Sequence, residues 1–342
     1  MRLPLPWLLA LTTAALALLL LGSLATGPMA LTLSESLRAL YAGQGSGIAA
    51  HKLLIVQEIR LPRTLLCIAI GGILGLCGAV MQGLFRNPLA DPGIIGVSGG
   101  AALGAALAIV LLAPLGQSLQ QLLGVGLLPL LAFLGGALTT TLVYLLGTRE
   151  GGTSVTVMLL AGVAITALSG AVIGLLSYLA DDQMLRDLSL WQMGTLAAGK
   201  PADMALALLT LAALLWLFMR DANPLNALLL GEGEARHLGI DVQALKRRLI
   251  LLTAAGVGVA VAVAGMIGFV GLVVPHLVRL LAGPNHVRLL PLSALMGAAL
   301  LLGADMLART LLAPAELPVG IITALLGAPF FIWLLIKSRR AL

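Results

Sequence analysis

Ten stretches of this chain are apolar over most of their length and bordered by polar residues, glycine or proline. They run over 7–26, 61–84, 95–113, 122–147, 154–179, 202–219, 249–267, 273–283, 289–312 and 319–336. A run of about 20 apolar residues spans a bilayer as a helix. The eighth stretch is too short to cross alone. The pattern predicts an all-α polytopic membrane protein, one transmembrane domain over 1–342 with about ten spanning helices. The first stretch, with Arg2 before it and "LATGPMA" after it, also fits a signal peptide; its long apolar core and the membrane pattern that follows favour a first spanning helix.

Two segments break the apolar pattern. Residues 27–60 read as an extracytoplasmic linker with "GQGSG" as a flexible tip. Residues 220–248 mix Leu228, Leu229, Leu230, Leu238 and Ile240 with Glu232, Glu234, Arg236 and Asp241. That mixture predicts short amphipathic helices broken at Gly231, Gly233 and Gly239, on the cytoplasmic side. In "GFVGLVVPHLVR", Gly268 and Gly271 loosen the end of the seventh helix and Pro275 restarts the chain as the short eighth one. His276 is expected to hydrogen-bond across that break.

Composition fits the same class: 60% of the 342 residues are hydrophobic and 10% charged, too few to coat a soluble surface. Glycine, at 41 residues, lets helices approach closely. The net charge of +6 does not point to nucleic acid, because basic residues in such a chain mark cytoplasmic helix ends. With the N-terminus inside, thirteen of the 20 Lys and Arg fall inside and seven outside, which places both termini in the cytoplasm. Cys67 and Cys77, ten residues apart on one helix, are too distant for a disulfide.

Candidate chemistry is sparse. The four histidines, His51, His237, His276 and His286, lack the i, i+4 spacing of a helical metal site, so no metal site is expected. There is no "GxxxxGK[ST]" phosphate loop and no nucleophile motif, so the chain is not expected to be an enzyme. Asp305 is the one carboxylate deep in a span, and Arg309 lies four residues on to pair with it. This argues against an ion-coupled secondary transporter, which needs carboxylates near the midplane; that reading stays as a remote alternative. Arg60 and Arg63 in "RLPR" start the second span on the outer side, against the helix dipole, and suit either lipid phosphate or an acidic partner. The stretches after the second and seventh spans resemble one another, as in the internal repeats of transporters.

The motifs "RLPRTLL", "GAVMQGLFRNPLADPGIIGVSGGAALG", "LSLWQMGTL", "LGEGEARHLGI", "GMIGFVGLVVPHLVRLLAGPNHVRLLPLSALMGA", "GADMLAR" and "AELPVGIITALLGAPFFIWLL" resemble, in order, the permease subunits of FecCD-like (BtuC-like) type II ABC importers for haem, iron siderophores and vitamin B12. The resemblance runs from about Arg60 to the C-terminus. It implies a homodimer, or a heterodimer with a close relative, in the bacterial inner membrane, two cytoplasmic ATPase subunits that carry ATP and Mg, and a periplasmic binding protein. It implies binding-protein docking by Arg60, Arg63 and Arg309, and ATPase coupling through Glu232, Glu234, Ala235, Arg236, His237, Leu238 and Gly239. Asn87 and Leu89, with Thr153 and Ser154, match cytoplasmic gates. The fifth span would line the path with Gly162, Ala164, Ala167, Ser169, Gly170 and Gly174, or use these small residues for packing. No cofactor is expected to be held permanently. The transported ligand looks closest to haem, with ferric siderophore and cobalamin as alternatives.

Overall fold

The computed structural model describes residues 4–29, 31–41, 48–112, 126–149, 152–197 and 200–339. The expected "GQGSG" tip and the first residues of the fourth span lie outside this set. The helices are α1 Leu5–Ala25, α2 Leu33–Tyr41, α3 Ala50–Leu54, α4 Leu61–Leu84, α5 Val97–Val110, α6 Leu127–Gly147, α7 Val155–Leu179 and α8 Asp182–Gln192. They continue as α9 Pro201–Arg220, α10 Ala222–Leu230, α11 Glu232–His237, α12 Val242–Ala264, α13 Val270–Ala282, α14 His286–Thr310 and α15 Val319–Arg339. A π-helical turn, Ile55–Arg60, joins α3 to α4, and a 3-10 turn, Pro92–Ile95, precedes α5. Strands β1 Thr148–Arg149 and β2 Gly152–Thr153 form a small antiparallel hairpin between α6 and α7.

Among the described residues, seven helical segments are long and apolar enough to cross a membrane, and three shorter apolar helices, α5, α13 and α15, join them. These ten match the ten predicted stretches. At the centre is α4, of which almost every residue is buried, because its glycines admit neighbours to backbone contact. A Cβ built at Gly71 or Gly75 would overlap the carbonyls of Gly297 or Ser293 on α14, and one at Gly78 would overlap Gly271 of α13. Gly100 and Gly104 let α5 meet α6 in the same way. Because α4 and α14 both run the full depth of the bundle, they define its two ends. One end carries α2 and α3; the other carries α10 and α11.

Four local expectations change. The segment 27–60 is not a bare linker: α2 and α3 pack on each other around Leu31, Ala39, Leu53 and Val56. Pro275 sits inside α13, not at its start, which is at Val270 after Phe269 in the left-handed region. His276 makes no hydrogen bond across the break; both ring nitrogens are buried without a partner, and the ring meets Phe330 edge-on at 6.1 Å. Gly231 and Gly239 do break the 220–248 segment, at φ +132° and +81°, but Gly233 lies within α11. The segment also ends sooner, because the Asp241 carboxylate caps Gln243 and Ala244 and starts α12 before the apolar run begins.

Beyond α2 and α3, a further helix falls outside the predicted stretches. α8 is capped by Asp181 and buries Leu188 and Trp191, spaced three apart, on one face. That periodicity was legible, but the charges Asp182, Arg186 and Asp187 hid it among loops.

Candidate functional site: two ends and a permeation helix

At the α2–α3 end, the three arginines expected to face a partner turn inward. Arg60, Arg63 and Arg309 are 3%, 7% and 2% exposed. Arg60 donates to the carbonyls of Leu24 and Ala25 at 2.8 Å each, and to that of Met29. Those carbonyls come from the end of α1 and the turn after it, which need partners once buried. Arg63 pairs with Asp305 at 2.9 Å and with Glu316 at 2.6 Å. Arg309 pairs with the other oxygen of Asp305 at 3.0 Å, as its i, i+4 spacing predicts, and donates to Ser23 Oγ at 2.7 Å. Ser23 Oγ meets Thr64 Oγ1 at 2.7 Å. The result is an ionic knot tying α1, α4, α14 and the turn that holds Glu316, buried except at the partly exposed Glu316. Within this chain their donors are taken up by Asp305, Glu316, Ser23 and the backbone carbonyls at the end of α1.

The other end is built differently. α10 packs on α4 and α14 through buried Ala222, Leu225 and Leu228, and two ion pairs tie the α10–α11 segment to α12. Asp221 binds Arg248 of α12, with Nε to Oδ2 at 2.8 Å. Glu232 binds Lys246 of α12 at 2.7 Å. Asn226 Oδ1 accepts the His286 backbone N–H at 2.8 Å, pinning α10 to the start of α14. Of the expected coupling residues, Ala235 is buried and anchors α11, and Glu232 is half-buried. Glu234, Arg236, His237, Leu238 and Gly239 are exposed. Leu230 and Leu238 are 70% and 65% exposed, an apolar pair on an end that also shows charge.

Both expected gate pairs lie at this end, on separate turns. Asn87 is exposed after α4; its side chain accepts from Leu89 N at 2.9 Å, closing the turn that leads to Pro92–Ile95. Thr153 is buried in the hairpin, and Ser154 caps α7.

On α7 the six expected pathway residues divide. Ala164, Ala167, Gly170 and Gly174 are exposed, and a Cβ added at Gly170 or Gly174 would meet nothing within 4 Å. Gly162 and Ser169 face the other way and are buried. In this chain they pack toward the side where α5 and α6 lie. All six are small, so composition alone could not separate the two sets; packing against α5 and α6 does.

Sequence reasoning also missed Gln243, Lys246 and Glu316. Lys246 shares a stripe with Val242, Leu249, Ile250 and Thr253, all buried. That periodicity was the available signal for an inward-facing lysine; the neighbouring Arg247 and Arg248 masked it.

The comparisons agree with this architecture. Residues 15–337 match the FecCD transport family. The hemin transport system permease protein HmuU of Yersinia pestis is 46% identical over 328 residues, covering 95% of this chain and 94% of that protein. The vitamin B12 import system permease protein BtuC of Vibrio cholerae is 44% identical and covers 83% of each chain. A solved metal-chelate type ABC transporter in an inward-facing conformation superposes with a TM-score of 0.83 at 34% identity, covering 98% of this chain and 100% of its own. PsaBC from Streptococcus pneumoniae, at 21% identity and a TM-score of 0.58 over 82% of this chain and 91% of its own, shares the fold. With ten apolar helices and a match over nearly its whole length, the chain belongs to the FecCD transport family.

Proposed function

We propose that this chain is the permease subunit of an inner-membrane ABC importer that moves an iron chelate, haem, into the cytoplasm. The observation that carries the reading is the α10–α11 pair: two short helices fixed to the bundle by ion pairs, offering exposed Leu230 and Leu238 beside Glu234, Arg236 and His237. Exposed leucines among charges at one end of a membrane bundle mark a protein contact. A cytoplasmic ATPase fits there, since the chain has no phosphate loop of its own. That end also carries Arg220, Arg247, Arg248, Arg279 and Arg288, in keeping with cytoplasmic termini.

Two copies face each other across α7, whose free side shows Ala164, Ala167, Gly170 and Gly174. A wide path with weak contacts suits a bulky chelate that must not stick. Asn87, Leu89, Thr153 and Ser154 form its lower gates. The binding protein docks over the α2–α3 end. Arg60, Arg63 and Arg309 support that surface from beneath, and an acidic residue of the partner reaches Arg63 only by displacing Glu316, which is partly exposed.

Haem is favoured because a haem permease matches 95% of the chain at 46% identity. Cobalamin is the second reading, on 44% identity to a vitamin B12 permease. Spectral titration of the binding protein that stimulates this permease's ATPase tests the choice. A shifted Soret band with haem, and no response to cobalamin, is expected; the reverse pattern overturns haem.

A further inference from the structure

Lys246 is a lysine that should be costly where it stands. It is 2% exposed, and a buried ammonium is tolerated only when its donors are taken. Its Nζ donates to Glu232 Oε1 at 2.7 Å and to the Thr153 carbonyl at 3.1 Å. Glu232 is the first residue of α11, and Thr153 is in the hairpin before α7. One side chain on α12 therefore joins the two elements assigned to ATPase coupling and to the gate.

A second side chain, one turn earlier, grips the same hairpin. Gln243 Oε1 accepts from Thr153 N at 3.1 Å and from Thr153 Oγ1 at 3.2 Å. Its amide lies over Gly152, where a Cβ would come within 2.6 Å of Gln243 Nε2 and the backbone holds φ at +115°. Below the hairpin, Ser154 N donates to the Gly147 carbonyl at 2.8 Å, and Ser154 is the N-cap of α7. A shift of Thr153 is thus passed to the first turn of α7.

α11 sits between two glycines. Gly231 and Gly239 bound it, both at positive φ, and both in open space. Between these hinges it is tied by the apolar burial of Ala235 and by Glu232 on Lys246. The second partner of Glu232, Arg236, lies at 3.9 Å and is exposed, so water screens it. If α11 swings away alone, Lys246 keeps a full charge in a buried place with one carbonyl for company. The lower-energy course is for α11, Lys246 and Thr153 to move together.

We infer that Lys246, steadied by Gln243, is the positioning residue that transmits movement of α11 to the Thr153–Ser154 gate. This rests on the reading of α11 as ATPase-facing and of the hairpin as a gate. The test uses the full chain carrying Ser154→Cys, assembled with its ATPase and binding protein in vesicles. The native Cys67 and Cys77 are buried and add little background. The alkylation rate at position 154 by a water-soluble maleimide is measured with and without ATP, alongside ATP hydrolysis. The expected result is that Lys246→Met cuts the nucleotide-dependent change in rate about tenfold while hydrolysis continues. Glu232→Gln, which spares the buried amine, should weaken the same response and add nothing to Lys246→Met, the signature of one shared link. A lysine with only a packing role would alter folding or assembly but leave the response per ATP hydrolysed intact. A full nucleotide response in both variants overturns the inference; if Lys246→Met does not assemble, Glu232→Gln decides alone. No nucleotide response in the unsubstituted Lys246 chain overturns the gate reading itself, and is seen before either substitution is made.

Discussion

Asp305 is the residue on which the α2–α3 end turns. It is fully buried, with Arg63 on one oxygen and Arg309 on the other. Removing it leaves two guanidiniums without their shared anion. Breaking a buried pair from one side costs about 3–5 kcal/mol. Asp305→Ala is therefore expected to lower the thermal midpoint of the detergent-solubilised chain sharply. Arg60→Glu should do likewise, since it places a carboxylate against the Leu24 and Ala25 carbonyls. An unchanged midpoint in both would restore the arginines to a surface role. At the rim of the same end, hydrogen bonds from Lys52 and then Thr32 hold the Glu35 carboxyl down at about 2, against an ordinary 4.5. A lowered carboxylate favours the fold above its unfolded value, and the benefit fades as pH falls from about 4.5 through about 2. In Lys52→Met, carboxyl-carbon NMR should show Glu35 titrating back toward its ordinary value.

Helix packing depends on where each glycine looks. Gly75 faces the Ser293 carbonyl of α14, so Gly75→Val forces α4 and α14 apart, and overpacking of this kind costs about 1–3 kcal/mol. Gly170 faces open space, so Gly170→Ala should leave the midpoint of the chain unchanged. Equal losses at both sites would contradict this arrangement of helices. The apolar elements were readable from the chain: apolar runs gave the ten apolar helices, because membrane helices must satisfy their own backbone, while the polar α2, α3 and α8 were not. What stayed hidden was contact between distant positions. Arg63 and Asp305 stand 242 residues apart, and nothing local in "RLPR" shows that its charge is already matched. Pro275 misled for a related reason. A proline suits a first turn, but α13 begins five residues earlier, beside Gly78, where backbone contact with α4 sets its start.

At the scale of the molecule, the two ends are joined by α14. It runs from His286, bonded to Asn226 of α10, to Asp305 and Arg309 in the ionic knot. Its 25 residues span about 37 Å at 1.5 Å each, enough to cross the bilayer. The motif order pointed to this architecture, while the inward turn of the arginines and the burial of Lys246 came only with the folded chain. On the function proposed above, uptake is driven by a partner's ATP hydrolysis and not by an ion gradient. This is tested most directly by haem uptake into vesicles holding this chain, its ATPase and its binding protein. The account predicts uptake that requires ATP, stops when the ATPase's phosphate-loop lysine is replaced, and ignores imposed proton or sodium gradients. Uptake by this chain alone along such a gradient, or uptake that survives an inactive ATPase, would contradict it.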